Sequence, residues 1–516
     1  MNKSYDIIII GGGHNGLVAA ALLAKRNRKV LLIEKRDRLG GTATGDEFHP
    51  GYFTTGLLHD TSRINKKVIE ELELEKFGLK VKPGRATIGL LSKKGDCLQL
   101  SDDEEKTATA ISAFSAKDAD AYRDYISFIA SIRPFIKSLL EDFPPDLTAF
   151  GIEQVWPLLK KAWALRRLGK KTMLELLKVA PMSVADFLNE KFETEFIKAG
   201  IAAPALYGSF TGPWSSYTTL NLLVHECTAS LQVAGGPQAL IAALEKAARH
   251  HGAEILTNTT VDKIVLDASH KVSGVKTIQG ELFSARLVIS TCTPQITFFE
   301  LLKPNQLTYT LEQSVRHYRA RGTTAKVNLA LNKEVSFNGI SALEYYRTGN
   351  SFDEMERAFD PAKYGRFSEE PVLDIHVPTV SYSHLAPSGH SVVSVLVHYA
   401  PYHLKEGWNE STRKKLLDTV IQTLERYSPQ LSSSIVSAQV LTPADLEAQY
   451  ALTNGHIFHG EHAVDQLITR PFPSCAGYAT PIEGLFICGS GSHPGGGITG
   501  LPGYLGALTV LKNRLT

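Results

Sequence analysis

The sequence has few cysteines, and none of them is close to another. Its 516 residues include five of them: Cys97, Cys227, Cys292, Cys475 and Cys488. Zinc sites and redox-active dithiols that are built on cysteine need close pairs such as C-x-x-C, and no such pair occurs. We therefore expect no metal site and no exchange of electrons through a disulfide.

The sequence also has no excess of charge of one sign. Lysine and arginine number 55, aspartate and glutamate number 53, and the formal net charge is +2. Proteins that bind nucleic acid depend on a strong positive balance to contact phosphates. Nucleic acid is therefore not expected as a partner.

Long apolar runs are absent as well. No run reaches the roughly 20 residues that cross a bilayer, and Met1 to Ser4 is too short for a signal peptide. We expect a cytoplasmic protein, or one of the mitochondrial matrix if the source is eukaryotic. The stretch from Trp156 to Lys178 is both basic and apolar, a composition that peripheral membrane helices share. In its first half, however, Lys161 and Arg166 fall among the apolar positions, so no clean apolar face forms. A helix packed on its own domain through Met173, Leu176 and Leu177 explains its second half equally well.

The most informative stretch is the N-terminus, where a strand, a glycine turn and a helix follow one another. Tyr5 to Ile10 is apolar and predicts a buried parallel strand. Gly11, Gly13 and Gly16 then form G-x-G-x-x-G, and Leu17 to Lys25 suits a helix. The first glycine allows the turn, the second allows a pyrophosphate to approach the backbone, and the third allows close helix packing. The helix N-terminus supplies free N–H groups for the phosphates, so the stretch predicts a dinucleotide site.

A second apolar run, Lys29 to Ile33, predicts the next strand and ends at Glu34. A carboxylate at this position can accept hydrogen bonds from an adenosine ribose. The following residues continue the pattern E-x-R-x-x-x-G-G-T, which resembles the glutathione-reductase-like FAD-binding superfamily and implies FAD rather than NAD. From this unit we expect cofactor contacts at Gly11, Gly13, His14, Asn15, Gly16, Glu34, Lys35, Arg36, Gly40, Gly41 and Thr42.

The middle of the chain alternates between two kinds of sequence. Residues 86–225 and 301–443 predict a mixed α+β substrate domain that includes a long helical block. An acidic patch opens that block, and we expect Ser101 to cap its first helix. Residues 226–300 alternate strands with a helix, which resembles the middle third of an FAD domain and implies that the Val261 backbone meets the adenine. The predicted fold is α/β, with a glutathione-reductase-like Rossmann FAD domain assembled from residues 1–85, 226–300 and 444–516.

The C-terminal segment carries a second cluster of glycines. A strand from Gly484 to Cys488 leads into a loop rich in glycine and then into the last helix. Gly495, Gly497 and Gly500 match G-x-G-x-x-G by spacing, but too few residues follow to build a second nucleotide fold. We interpret the segment as the other side of the same site, in which the last helix faces the flavin. The expected contacts are Gly489, Ser490, Gly497 and Ile498.

With the N-terminal motifs, the string Gly489-x-Gly491-x-His493-Pro494-Gly495-x-Gly497 resembles the phytoene desaturase family of FAD oxidoreductases. Within that family, Asn454 to Gly460 and Cys488 to Gly497 resemble the branch called pyridine nucleotide-disulfide oxidoreductase domain-containing protein 2. The resemblance covers essentially the whole chain. Two departures, at Thr54 to Leu57 and at Ser490, argue against carotenoids as the substrate but leave FAD binding intact.

The resemblance implies an FAD-dependent enzyme that removes or adds hydride at a carbon–carbon bond of an apolar substrate, such as a polyene or isoprenoid. A flavin amine oxidase shares the architecture and is one alternative. A protein that holds FAD mainly for stability and acts through protein partners is another. Because flavin chemistry needs no protein nucleophile, the sequence identifies no catalytic residue, and it gives neither the electron acceptor nor the oligomeric state.

Three histidines with a spacing of three form the remaining candidate cluster. Metal ligands can use such a spacing. Gly455 and Gly460 indicate a loop, however, and the resemblance places this loop near the cofactor. We therefore expect a structural or cofactor-facing role rather than a metal site for His456, His459 and His462.

Overall fold

The computed structural model describes residues 4–145, 152–341, 343–467 and 469–512. Its strands are β1 (Ser4–Ile10), β2 (Val30–Ile33), β3 (Glu47–His49), β4 (Tyr52–Phe53), β5 (Val81–Pro83), β6 (Ile88–Leu91), β7 (Cys97–Leu100), β8 (Leu231–Val233), β9 (Glu254–Leu256), β10 (Val261–Leu266), β11 (Val272–Thr277), β12 (Leu282–Ser290), β13 (Thr324–Leu331), β14 (Tyr345–Arg347), β15 (Leu373–His376), β16 (Ser391–His398), β17 (Ile435–Leu441) and β18 (Leu485–Ile487).

The α-helices of the described residues are α1 (His14–Lys25), α2 (Lys66–Glu71), α3 (Glu104–Ser112), α4 (Ala116–Glu141), α5 (Ile152–Arg167), α6 (Lys170–Val179), α7 (Val184–Asn189), α8 (Glu195–Ala202), α9 (Thr218–Thr228), α10 (Gly236–His250), α11 (Tyr309–His317), α12 (Phe352–Phe359), α13 (Glu410–Glu425), α14 (Pro443–Tyr450), α15 (Val464–Leu467) and α16 (Leu501–Lys512). Among these helices, none combines the length and the apolar composition that crossing a membrane requires.

The first sheet is built around β1, which pairs in parallel with β2 on one side and β12 on the other. Its order is β10-β11-β12-β1-β2-β9, and β18 also pairs in parallel with β12. The apolar run predicted from Tyr5 to Ile10 is fully paired here, and α1, α10 and α16 pack beside it. Parallel strands end at the same edge of a sheet, so the residues that follow β1, β2, β12 and β18 meet at one edge.

The second sheet has the order β17-β13-β16-β15-β14-β6-β7. Neighbouring strands are antiparallel except for β14 and β6, which are parallel. Its strands come from residues 86–225 and 301–443, whereas the strands of the first sheet come from 1–85, 226–300 and 444–516. The helices α3 to α9 and α12 share an apolar core beside this sheet.

Two local predictions within the helical block are wrong. The side chain that caps α3 is Asp103, which accepts a hydrogen bond from the Lys106 N–H, while Ser101 lies before the cap and bonds Asp103 and Thr107. On α6 the side chain of Leu176 is buried but that of Leu177 is 54 % exposed, so the expected apolar face is narrower. The spacing of residues in the sequence does not define the exact residue at which a helix begins, nor which of its faces packs against another element. This explains both differences.

Candidate cofactor site and substrate cavity

The glycine turn after β1 is shaped by close backbone contacts at two of its three glycines. Gly11 has a φ of +101°, and its N–H donates to the carbonyl oxygen of Ile33 at 2.8 Å. A Cβ on Gly16 would lie 2.1 Å from the Gly11 carbonyl oxygen, so a side chain there would push α1 away from the turn. Around Gly13, by contrast, a Cβ would have no described atom within 4 Å. The turn therefore leaves an open cradle at its second glycine, where the sequence predicts the pyrophosphate.

The N-terminus of α1 points at this cradle without a side-chain cap. Its cap residue is Gly13, and the first backbone hydrogen bond of the helix runs from the Leu17 N–H to the Gly13 carbonyl oxygen at 3.0 Å. The N–H groups ahead of Leu17 have no partner inside the helix. A buried, uncapped helix N-terminus is suited to binding phosphate oxygens.

Glu34 is buried at the end of β2 and already orders the turn. One carboxylate oxygen accepts from the Gly12 N–H at 2.6 Å and the other from the Arg36 N–H at 2.9 Å. A carboxylate has about four acceptor positions, so two are left for ribose hydroxyls. The Thr259 N–H donates to the Glu34 carbonyl oxygen at 3.0 Å, which brings the start of β10 at Val261 beside this end of the site.

The second glycine pair lies directly under the first turn. The Gly40 N–H donates to the Gly12 carbonyl oxygen at 2.8 Å, and a Cβ on Gly41 would lie 3.3 Å from the Gly13 Cα. The carbonyl oxygen of Thr42 accepts from the Leu58 N–H at 3.0 Å, which guides the next segment past the site. Arg36 pairs with Asp46 at 3.1 Å, whereas Lys35 is exposed at the rim.

The side chain of Asn15 joins the C-terminal motif to the N-terminal turn. Its Nδ2 donates to Ser490 Oγ at 3.4 Å, and its Oδ1 accepts from the Gly503 N–H at 3.4 Å. A Cβ on Gly489 would lie 2.3 Å from the Thr291 carbonyl oxygen, so glycine is needed for this approach. The two glycine motifs therefore belong to one site, and Gly497 and Ile498 lie at its far side, just before α16.

His14 is the first residue of α1, three positions before the predicted helix start at Leu17, and its ring is buried. Its Nε2 has no hydrogen-bond partner among the described residues. Burial lowers the pKa of His14 to about 4, and a hydrogen bond to the Gly497 backbone offsets this only in part. The ring is therefore neutral at neutral pH and leaves one buried polar nitrogen for a ligand. The open cradle, the uncapped helix and this nitrogen fit the polar pyrophosphate of an FAD.

The loop of three histidines is held by a residue that the sequence did not single out. Arg470 is fully buried, and its guanidinium donates to the carbonyl oxygens of Phe458, Gly460, Glu461 and Ser490 at 2.7–3.2 Å. Arg470 therefore ties the loop to the C-terminal motif. His462 Nε2 accepts from the Gly496 N–H at 3.2 Å. In the described part of the chain, no group of three histidine, cysteine or acidic side chains is arranged to hold a metal.

The cysteines carry no reactive thiolate. All five are free, and burial raises the pKa of each thiol to about 11 or 12. A thiol is nucleophilic only as its thiolate, which these values disfavour at neutral pH.

A large cavity opens from the C-terminal motif into the space between the two sheets and the helical block. Its empty space is about 2000 Å³, counted with the part that is open to solvent. Gly497 and Ile498 line one end. Apolar side chains that line the cavity include Ile88, Leu100, Ile201, Pro204, Val224, Leu231 and Val233.

One wall of the cavity is a polar face of the second sheet. Strands β14 and β15 pair Tyr345 with His376 and Arg347 with Asp374, so these side chains share a face. The alternate residues, such as Tyr346 and Ile375, turn into the apolar core on the other side. Sequence reasoning missed these residues, although a signal exists: polar residues occupy every second position of strands that are otherwise apolar.

The rings on this wall form a stack next to the segment that follows the second glycine pair. His376 stacks on His59 with ring centroids 4.4 Å apart and on Tyr345 at 4.8 Å. Its Nε2 pairs with Glu344 at 2.8 Å, and its Nδ1 lies 3.3 Å from Thr55 Oγ1. Burial and the neighbouring cations lower the pKa of His59 well below its usual range.

Lys326 lies on the same sheet face, fully buried. Its Nζ donates to the Leu57 carbonyl oxygen at 3.4 Å, and it is opposite Leu396 of β16. Burial lowers the pKa of Lys326 to about 7, although Asp374 acts against this. The side chain can therefore gain or lose a proton at neutral pH, beside the segment that runs from the cofactor motif.

Comparison with known families gives two matches. Residues 9–62 match the NAD(P)-binding Rossmann-like domain, and residues 130–500 match the family described as flavin containing amine oxidoreductases. The second match covers well over half of the chain. Together the two matches confirm the predicted Rossmann fold and FAD as the cofactor.

Several curated proteins are similar over nearly the whole chain. Pyridine nucleotide-disulfide oxidoreductase domain-containing protein 2 of Rattus norvegicus is 33% identical over 99% of this chain and 94% of its own length. One subunit of the limonene dehydrogenase of Castellaniella defragrans is 25% identical over 99% of this chain and 95% of its own. The lycopene-forming phytoene desaturase of Pantoea ananas is 24% identical over 96% of each. These matches confirm the resemblance to the phytoene desaturase family.

Solved structures share the fold at low sequence identity. A putrescine oxidase bound to putrescine superposes with a TM-score of 0.59, at 14% identity, over 99% of both chains. This likeness shows the architecture alone. Which of the residues described above touch FAD stays a prediction.

Proposed function

The chain belongs to the family of flavin-containing amine oxidoreductases, and from that premise we propose that it removes or adds hydride at a carbon–carbon bond of a substrate with an apolar body. The cavity carries this proposal, because it joins Gly497 and Ile498 to a wall of aliphatic side chains. FAD, when bound, supplies the hydride acceptor or donor for such a reaction. The protein has to hold the substrate carbon beside the cofactor and exclude water.

The residues of this chain are suited to that task. Glu34, the cradle at Gly13 and the start of α1 would hold the ribose and phosphates, and Gly497 and Ile498 would approach the flavin. Lys326 is the one buried lysine with a pKa near neutrality among the described residues, so it can take up a proton that the reaction releases. Apolar lining excludes water from the reacting atoms.

Amine oxidation is a second candidate, favoured by the family match and by the aromatic side chains of the cavity, Tyr122, Tyr125, Tyr207, Tyr345 and Tyr382. An amine cation would need a free carboxylate. Glu226 is paired with Arg85 at 2.7 Å and Glu344 with His376 at 2.8 Å, so neither is free to bind it.

A third candidate is a protein that holds FAD for stability and acts through partners. It differs from both enzymes in that no donor should reduce its flavin at a useful rate.

A surface of the helical block supports contact with a membrane as part of this function. We define this surface, the α5 face, by Trp156, Leu159 and Trp163, which are 62 %, 53 % and 62 % exposed. Lys160 and Arg167 lie over the two indole rings at 5.7 and 4.5 Å. Exposed tryptophans flanked by basic residues suit the interface of an anionic lipid bilayer, from which an apolar substrate would be drawn.

The test is an absorbance spectrum of the purified protein, followed by anaerobic addition of donors. Loss of the oxidised flavin band with an isoprenoid alkene, and none with putrescine or benzylamine, is the expected result. Reduction by an amine instead would move the assignment to the second candidate. Bound flavin that none of these compounds reduces would favour the third.

A further inference from the structure

The cavity contains more unsatisfied polar groups than an apolar substrate could satisfy. Five buried or half-buried side-chain atoms around it have no hydrogen-bond partner among the described residues. They are Tyr125 Oη, Tyr207 Oη, His59 Nδ1, Arg347 Nε and His398 Nε2. Leaving a buried donor or acceptor unpaired is unfavourable. A hydrocarbon would leave all of them unpaired, so the lining indicates a ligand with a polar group.

Two guanidinium groups in this polar lining are incompletely paired. Arg63 donates through Nε to Thr228 Oγ1 at 3.0 Å, and among the described carboxylates none lies within 4.0 Å of it. Its Nη1 lies 3.4 Å from where a Cβ of Gly497 would be, so it faces the end of the cavity next to the cofactor motif. Arg63 is therefore a cavity cation that no ion pair neutralises.

Arg347 is the second cation, and its pairing is incomplete. Its closest carboxylate is Asp374, 3.7 Å from Nε and not hydrogen-bonded to it. Burial raises the pKa of Asp374, while the charge of Arg347 acts to lower it. Arg63, Arg347 and His225 all line the cavity. Burial lowers the pKa of His225 well below its usual range, and the charges of Arg63 and Arg347 add to this effect.

Four acidic side chains line the cavity, Asp60, Glu226, Glu344 and Asp374, and the last three are each paired with another side chain. Glu226 is held by Arg85 at 2.7 Å, and Glu344 is held by His376 and Ser381 at 2.8 and 2.5 Å. Asp60 accepts from the Ser62 N–H at 2.8 Å. The charge of Asp60 acts to raise the pKa of both Arg63 and Arg347. Among the described residues, however, no group accepts a hydrogen bond from the terminal nitrogens of Arg63, so a ligand that brings acceptor oxygens would complete its pairing.

We propose that the cavity binds a carboxylate head group between Arg63 and Arg347, so that the substrate is an amphiphile with an acidic head and an apolar body. This inference rests on the proposed function for the fate of the apolar body, but the head-group site stands on the lining alone. A carboxylate offers two oxygens to the planar guanidinium groups, and its remaining lone pairs accept from Tyr207 and Tyr125. An ammonium head would bring only further donors to the terminal nitrogens of Arg63.

The experiment uses the FAD-loaded protein and four ligands with the same C10 chain: decanoate, 1-decanol, decylamine and decyl phosphate. Binding is measured by isothermal titration calorimetry and by the shift of the flavin spectrum, with no turnover required. We expect decanoate to bind at least about tenfold more tightly than decanol, because its hydrogen bonds are charge-assisted. Equal binding of decanoate and decanol would overturn the proposal, as would a preference for decylamine or for decyl phosphate alone.

Variants test whether Arg63 and Arg347 cause the preference for decanoate over decanol. Arg63→Met should remove the preference for decanoate over decanol, and Arg63→Lys should restore part of it, because lysine keeps the charge but not the planar fork. Arg249→Met is the control, since Arg249 is exposed on α10 and its ion pair among the described residues is with Glu245. If Arg347→Met fails to fold, Arg63→Met still decides the question. Unchanged decanoate binding in Arg63→Met, with a shifted flavin potential, would assign Arg63 to the cofactor and overturn the proposal.

The two proposals fail in different ways. Tight decanoate binding without reduction of the flavin by any long-chain acid would leave the head-group site in place and contradict the proposed redox function. Reduction by alkenes or alcohols with no preference for acids would support the redox function and overturn the head-group site.

Discussion

The two ends of the cleft are built by different means. At the cofactor end, Gly11, Gly13, Gly16, Gly40 and Gly41 position backbone atoms, and one acidic side chain, Glu34, orders them. At the substrate end, charged and aromatic side chains from β14, β15, β16 and α9 converge on a cavity. The difference shows how a family can keep one cofactor and change its substrate, because backbone sites depend on few positions and side-chain sites depend on many.

The largest expected effect is on the affinity for FAD and comes from a substitution at Gly13, at the cofactor end. Gly13→Asp should lower the affinity for FAD about a hundredfold or more, because its carboxylate would enter the phosphate cradle. The fold should survive, since a Cβ at this position meets no described atom within 4 Å and φ is −67°. Equilibrium dialysis against FAD measures the change, and circular dichroism tests the fold.

Gly477→Asp is the matched control for that change. Gly477 also has open space around its Cβ position and no positive φ, but it lies away from the cradle. We expect its FAD affinity to stay within about twofold of the unmodified protein, since surface changes rarely alter energies by more than 0.5 kcal/mol. Equal loss in the two variants would mean that added charge alone, and not the cradle, explains the result.

The same contrast explains how much could be derived from the sequence. The strand, turn and helix from Ser4 to Lys25 were predicted because their residues are adjacent and their spacing is fixed. The wall at Arg347 and Asp374 was not predicted, because these residues lie 27 positions apart and meet only through the pairing of β14 with β15. Arg470 was also missed, since a lone arginine that donates to four carbonyl oxygens leaves no spacing to detect.

The second prediction concerns proton transfer at the substrate end. The pKa of Lys326 is about 7, so its amine is mostly protonated below this pH and mostly neutral above it. If the neutral amine accepts the proton that the substrate releases, the rate of flavin reduction should rise through pH 7 and then level off. Lys326→Met should lower that rate about tenfold or more and remove the rise. Stopped-flow absorbance from pH 6 to 9 measures both.

Two binding measurements are the control for that variant. FAD content and the affinity for decanol, measured without turnover, should be unchanged in Lys326→Met. A pH profile that keeps its rise near 7 in the variant would exclude Lys326 as the titrating group and leave the buried histidines to be tested.

The third prediction is that a buried histidine at the substrate end, His398, lowers the free energy of unfolding at acid pH. Burial lowers the pKa of His398 to about 3, from about 6.5 in the unfolded chain. Between these values the unfolded state binds a proton that the folded state does not, so stability falls as the pH falls through 6.5 toward 3. His398 alone should account for about 1 kcal/mol of that loss between pH 6.5 and 5.5.

His398→Phe should reduce the loss by that amount, because a phenyl ring keeps the stacking on Tyr207, whose ring centroid lies 4.8 Å away. Urea unfolding at the two pH values gives the difference. His250→Phe is a control on an exposed ring at the C-terminus of α10. An equal slope in His398→Phe and the unmodified protein would show that the ring is protonated in the folded state.

Substitutions on the α5 face are expected to have the smallest effect on the cleft, because Trp156, Leu159 and Trp163 are not among the residues that line the cavity. Replacing Trp156 and Trp163 together by serine should change the free energy of unfolding by less than about 1 kcal/mol, because both side chains are 62 % exposed. The same change should reduce sedimentation with vesicles of phosphatidylglycerol and phosphatidylcholine, since each indole contributes interfacial binding. Replacing Tyr309 and Tyr364, exposed aromatic residues on other surfaces, is the matched control. If both double variants bind vesicles equally well, the exposed tryptophans do not serve a membrane, and an amphiphilic substrate would have to reach the cavity from solution.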